Sequence, residues 1–208
     1  MNKDLIKKSG FTLPEILITL GVIGVVAAIT MPIIHSKIQW TILKNRYKKV
    51  YNTYSQAIQL VQNDDYLYLC YSDDNGQVAA DECNLFFNEL MKKFKVIKEC
   101  KNNALLQGCV PVYYSYNTSS GCNGYNENYI NNHNKVVVMQ DGSILIRYPF
   151  QTPLFAVDIN GFKGPNKAGY DLFLFDIGKN NGLYINPLTG GCQWLAPGGK
   201  YGKEMLLN

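Results

Sequence analysis

The residues of this chain best spaced for chemistry lie between positions 158 and 171. In Asp158-Ile159-Asn160-Gly161-Phe162-Lys163-Gly164-Pro165-Asn166, followed by Gly169 and Asp171, side-chain oxygens recur on alternate residues with glycine between them. Hard cations take ligands of this kind, and calcium collects about six to eight oxygens. Asp158, Asn160 and Asp171 are therefore the candidate calcium ligands. The spacing completes no EF-hand pattern, and Asx-Gly runs are also ordinary turn chemistry, so a metal-free turn is the competing reading.

Six cysteines, Cys70, Cys83, Cys100, Cys109, Cys122 and Cys192, form the second reactive group. No pair has the two-residue gap of a redox or zinc motif, and an even count in an exported domain reads as structural disulfides. Sequence does not choose their pairing. His35 and His133 are the only histidines, and neither stands near a cysteine or a catalytic serine motif. A Gly-rich phosphate loop, a metalloprotease helix and a nucleophile elbow are all missing, so the chain is expected to be a substrate of enzymes and not an enzyme. Tyr113, Tyr114, Tyr116, Tyr125 and Tyr129 lie among Asn and Ser. Such aromatics either stack on glycans or pack beneath a disulfide-stapled region.

The elements that carry these groups begin with an apolar run. From Ile16 to Ile34 there is no charged residue, and the run starting at Phe11 has the roughly 20 apolar residues that cross a hydrocarbon core. Lys3, Lys7 and Lys8 precede it, which places residues 1–10 on the cytoplasmic side and everything after Ile34 outside. Without that leader the chain keeps 17 basic and 15 acidic side chains, a near balance that provides no dense basic face for nucleic acid.

Helical periodicity continues past the membrane edge through Ile38, Ile42, Val50, Tyr54, Ile58 and Val61. One helix from near Phe11 to about Gln62 is predicted, residues 11–34 in lipid and 35–62 exported. Residues 63–134 read as a connecting region rich in turn signals, interrupted by a short helix within Leu85–Cys100, where Phe86, Leu90, Phe94 and Ile97 have helical spacing and Asn84 is the cap. Residues 135–208 read as strands. Val136–Met139 and Ile144–Tyr148 flank Asp141-Gly142 in a hairpin whose two central residues should both take positive φ. Leu154–Ile159, Asp171–Ile177 and Gly182–Asn186 supply further strands, and the apolar stripe of the long helix should cover the resulting antiparallel sheet. The fold class is α+β.

In an ordinary secretory signal the apolar region precedes the cleavage site, whereas here Lys7-Lys8-Ser9-Gly10 comes first, then Phe11-Thr12-Leu13-Pro14-Glu15 and the apolar helix. Gly10 to Glu15, followed by Ile16-Leu17-Ile18-Thr19-Leu20-Gly21-Val22-Ile23-Gly24, resembles the amino-terminal code of type IV prepilins and type II secretion pseudopilins. The likeness covers about the first quarter of the chain. It implies cleavage between Gly10 and Phe11 by an aspartyl prepilin peptidase, N-methylation of Phe11, a roll of a long helix against an antiparallel sheet, and assembly into a helical filament. It also implies the partners: identical or homologous pilin subunits, the peptidase, an inner-membrane assembly platform and membrane lipid. Major pseudopilins hold calcium in a loop between strands, which bears on Asp158, Asn160 and Asp171.

Proline at position 14 departs from the usual aliphatic residue, but in the first helical turn its missing N–H forfeits no intrahelical bond. Glu15 is a carboxylate at the edge of a lipid-embedded helix with no cationic side chain between Phe11 and Ile34. The resemblance gives it the positive amino terminus of Phe11 on a neighbouring subunit; the competing reading is a carboxylate that reaches water or caps its own helix. Gly21, Gly24, Ala27 and Ala28 permit close helix packing, and Pro32 removes a helical N–H, so a kink or local unwinding is expected there. The expected protein is a single-pass subunit of a bacterial inner-membrane filament, a secretion pseudopilus or related pilus. The alternative is a single-pass anchored extracytoplasmic binding domain.

Overall fold

The computed structural model describes residues 10–63, 70–72, 78–79, 83–113, 135–147, 153–178, 182–185 and 195–207. The chain is α+β and divides into two compact units, Met1–Thr41 and Ile42–Asn208. The long helix, α1 (Leu13–Asn63), begins in the first and ends in the second.

In the first unit no large apolar side chain between Phe11 and Ile34 is less than 46% exposed, so this stretch has no protein core of its own. Its length and composition suit a membrane span. The helix continues unbroken through Pro32. The proline removes the hydrogen bond that the Ala28 carbonyl would otherwise accept, and its ring crowds that carbonyl.

In the second unit α1 buries Leu43, Tyr47, Val50, Tyr54, Ala57, Ile58 and Val61. The stripe differs from the predicted one at its start, because Ile38 and Ile42 are half exposed while Leu43 and Tyr47 turn inward. Shifting the stripe by one helical position rotates it by about 100°, enough to exchange an inward residue for an outward one.

The sheet runs β3 (Val96–Cys100), β4 (Val136–Met139), β5 (Ile144–Arg147), β6 (Phe155–Asp158), β7 (Leu172–Gly178), β8 (Gly182–Ile185), each strand antiparallel to the next. A short hairpin, β1 (Tyr71–Ser72) and β2 (Val78–Ala79), joins it through one parallel pairing of Ser72 with Gly178. The helix α2 (Cys83–Lys92) precedes β3. Thus the predicted helix within Leu85–Cys100 is corrected at both ends: Cys83, not Asn84, opens it, and Lys92 closes it. The last turn tightens as Lys93 and Phe94 donate to the Leu90 and Met91 carbonyls. Val96 and Ile97 then take the edge-strand geometry that β-branched side chains favour, Val96 paired with Met139 of β4 and Ile97 at a shift of register before Lys98 pairs with Val138.

The β4–β5 connection also differs from the predicted turn. Gly142 N–H bonds the Met139 carbonyl at 3.0 Å, Met139 N–H bonds the Ser143 carbonyl at 2.9 Å, and Gly142 alone takes positive φ, 87°. A three-residue loop with glycine in the left-handed position replaces the two-residue turn.

Both faces of the sheet are covered, which is why β4, β5 and β6 are buried at every position. On one face Phe155, Phe173 and Phe175 meet the helices: Tyr47 packs edge-on to Phe173 with centroids 4.5 Å apart, Tyr54 lies 6.0 Å from Phe155, and Phe87 of α2 stands 5.7 Å from Phe155. The alternate residues Val136, Val138, Ile144, Ile146, Ala156, Leu172 and Leu174 point to the other face, where Cys100, Ala104, Cys109, Val110 and Tyr113 close over them. Each buried aromatic or aliphatic side chain contributes about 1.5–3 kcal/mol. The carboxyl-terminal helix α3 (Gly202–Leu206) brings Gly202 against the Tyr47 phenol and Ile185, where a Cβ would have no room.

Candidate functional site

The amino-terminal site is built by the first turn of α1. Gly10 and Phe11 are exposed and precede the helix. Thr12 acts as its cap, its carbonyl accepting from Ile16 N–H at 3.2 Å. Glu15, three residues on, receives both the Thr12 N–H and the Thr12 hydroxyl on Oε2, each at 2.8 Å. This is the returning half of a capping box, in which an acidic residue at the third helical position bonds the cap's backbone N–H. In the single chain Glu15 therefore caps its own helix. Thr12 carries a signal legible in sequence, Thr-x-x-Glu ahead of an apolar run, that the reading of Glu15 alone overlooked.

The second site is the β6–β7 connection. Asp158 ends β6 and Asp171 immediately precedes β7; the Ile159 N–H bonds the Asp171 carbonyl at 2.8 Å and draws the two bases of the loop together. Between them a 3₁₀ turn, Gly161–Lys163, leads into a segment with left-handed backbone at Gly164 and Asn166. Gly161 has φ 59° and faces the Gly142 carbonyl so closely that no Cβ fits, which fixes glycine at this position.

Asp158 and Asp171 are both fully buried and Asn160 nearly so. Asp158 Oδ1 accepts the N–H groups of Asn160 and Gly161 at 2.9 and 2.7 Å, and Oδ2 accepts the Tyr113 phenol at 3.0 Å. Asp171 accepts Asn166 N–H on Oδ2 and Lys167 N–H on Oδ1, both at 2.7 Å. The Asn160 amide donates to the Gly164 carbonyl at 2.6 Å and sits 3.4 Å from Asp171 Oδ2. The three residues singled out from sequence thus converge.

Burial raises the pKa of Asp158, and the neighbouring Asp171 charge raises it further; the bonds from Asn160, Gly161 and Tyr113 oppose this without cancelling it. Burial likewise raises Asp171, against the bonds from Lys167 and Asn166. Meanwhile the side-chain carbonyl oxygens of Asn160 and Asn166 are buried without a hydrogen-bond partner. Two carboxylates and two orphaned amide oxygens are the donor type a hard cation takes, although four side-chain groups fall short of a full calcium shell unless backbone carbonyls or water complete it. Among the described residues no three His, Cys, Asp or Glu side chains cluster as a metal site. Tyr113 had no local signal, being 45 residues from Asp158.

Among the described residues two disulfides staple the second unit. Cys70 bonds Cys83 at the start of α2, and Cys100 bonds Cys109, closing the turn beyond β3. Cys122 and Cys192 lie outside the described residues.

Residues 5–31 match the prokaryotic N-terminal methylation motif, the prepilin-type cleavage and methylation signal. The matched segment contains Gly10, Phe11, Thr12 and Glu15 and the first part of the apolar helix, which among the described residues is the one helix long and apolar enough to cross a membrane. Comparison with curated proteins and with solved structures gives no match.

Proposed function

We propose that this chain is a prepilin-like subunit that prepilin peptidase cuts between Gly10 and Phe11. The new amino terminus is N-methylated, and the processed chain assembles through its apolar helix into a membrane-anchored filament, a type II secretion pseudopilus or a related pilus. The observation that carries the reading is the methylation motif placed directly on a helical stretch whose large apolar side chains, from Phe11 to Ile34, are all exposed among the described residues. Neighbouring copies and lipid are the surroundings such a helix requires. Residues 1–10 face the cytoplasm and the second unit lies outside, following the basic leader. On assembly Glu15 exchanges its Thr12 contacts for the amino terminus of Phe11 on a neighbouring subunit.

Mass spectrometry of the chain extracted from membranes of a host containing the peptidase tests this directly. The expected product begins at N-methylated Phe11. An intact leader, or cleavage beyond the apolar helix, overturns the reading.

The β6–β7 connection in this reading is a calcium site held by Asp158, Asn160 and Asp171, with Asn166 turning its orphaned oxygen toward the ion. Calcium there neutralises two buried carboxylates and fixes the connection, and so acts on stability. A ligand bound only by the folded state raises its unfolding midpoint. The expected result is an upward thermal shift with millimolar calcium, reversed by chelator and abolished in Asp158→Asn; an unchanged midpoint leaves a plain turn.

A further inference from the structure

The geometry points to a saccharide-binding site in the second unit, in a cavity of about 460 Å³ between α1, the turn after α2 and the β4–β5 loop. That volume falls in the range of small-molecule sites. The cavity shares no lining residue with the amino-terminal motif or the β6–β7 connection, and the inference stands apart from the filament reading.

The three segments hold one another in place. Gln140 N–H, in the β4–β5 loop, donates to the Lys95 carbonyl at 2.9 Å, and Phe94 packs on Tyr54 of α1 with ring centroids 4.6 Å apart. The two rings, with Val50 and Met139, supply the apolar part of the lining. Phe94 is only half buried, so part of its ring is open to an apolar surface brought from outside.

The polar part consists of groups with unused capacity. At the floor the Tyr54 phenol is buried without a hydrogen-bond partner, and burial keeps it protonated. At the exposed rim Asp141 spends Oδ1 on the N–H and hydroxyl of Ser143, at 3.0 and 2.7 Å, while Oδ2 has no donor among the described residues. The Lys95 ammonium and the Gln140 amide, also at the rim, have no partner among them either. Lys93 lines the cavity as well but is already engaged.

These groups select the ligand. A purely apolar guest leaves the carboxylate, amide and phenol unspent. A simple anion is drawn to Lys95 and repelled by Asp141, a simple cation the reverse, and one carboxylate is too few for a hard metal ion. The fitting guest is uncharged, carries donors and acceptors together, and has an apolar face for Phe94. A pyranose has this form, with hydroxyls around its edge and C–H groups on its face. The competing occupant is a zwitterionic amino acid, which would use Lys95 and Asp141 but not the amide.

The test titrates glucose, galactose and N-acetylglucosamine into the full chain in detergent, followed by saturation-transfer NMR. At least one sugar should bind. In Lys95→Met/Gln140→Leu, which alters two exposed side chains, affinity should fall at least about fivefold. Thr53→Trp, at an exposed position of α1 lining the cavity, should abolish binding by filling the space. Both variants should keep the thermal midpoint of the unaltered chain. No transfer to any of the three sugars, undiminished affinity in both variants, or transfer to free phenylalanine in place of the sugars overturns the site.

Discussion

The phenol of Tyr113 donates a 3.0 Å hydrogen bond to Asp158 Oδ2, joining residues 45 positions apart in a buried setting. Tyr113 lies beyond the Cys100–Cys109 disulfide in sequence, and Asp158 also holds the N–H groups of Asn160 and Gly161. One carboxylate therefore ties together the end of β6, the loop that follows it and the layer covering the outer face of the sheet. Removing the hydroxyl leaves an acceptor with one bond fewer. Tyr113→Phe should lower the unfolding free energy by about 1–3 kcal/mol. Denaturant titration followed by aromatic circular dichroism reads this, and an unshifted midpoint would show that the bond is immaterial.

Acidity should matter at the same place. Asp158 is raised to about 8 in the folded chain and Asp171 to about 6, chiefly by burial, while the unfolded chain holds both near 3.8. The folded state then binds protons that the unfolded state releases across this window, so stability is full below the unfolded value and is lost as pH rises toward about 8. Chelator-treated protein should melt at a lower temperature at pH 8.5 than at pH 5, each taken as roughly bracketing that window. Asp158→Asn should flatten the difference. A flat profile in the unaltered chain would contradict the raised values.

The aromatic layer between helices and sheet should dominate stability. Phe155 contacts Tyr54, Phe87 and Phe175, and is fully buried. Phe155→Ala should cost about 3–5 kcal/mol. Truncating the exposed Leu106 should change stability by less than about 0.5 kcal/mol. Equal effects at the two positions would place the core elsewhere.

Gly202 tests the docking of α3. An added Cβ would collide with the Tyr47 phenol and Ile185, so Gly202→Ala should destabilise by about 1–3 kcal/mol although it adds one methyl group. Protease sensitivity at the carboxyl terminus should rise with it. Full resistance would mean that the helix shifts at no cost.

Glu15 separates capping from assembly. Glu15→Gln keeps most of the shape and removes the charge, so leader cleavage and folding of the second unit should persist while filament yield collapses. Thr12→Ala removes the hydroxyl bond to Glu15 Oε2 but leaves the carboxylate free to meet Phe11, and should assemble nearly normally. Unaltered filament levels in Glu15→Gln would refute the pairing.

Sequence by itself determined what depends on neighbours along the chain. The order of basic leader, Gly10, Phe11, Glu15 and apolar run is linear, and residues 5–31 match the methylation motif on that ground. The long helix follows from 3.6-residue periodicity, and β4 to β8 from short apolar runs bounded by turn residues. Local rules misplaced the start of the buried stripe and assigned Val96–Cys100 to a helix, because an edge strand is decided by the ladder it joins and not by its own spacing. Only the tertiary structure selected Cys70 with Cys83 and Cys100 with Cys109, and only it covered both faces of the sheet. It also set Tyr113 on Asp158 and left the Asn160 and Asn166 oxygens without partners. These are relations between segments far apart in sequence. Which segment covers which is settled by the joint burial of apolar surface, a quantity that no single stretch of sequence carries.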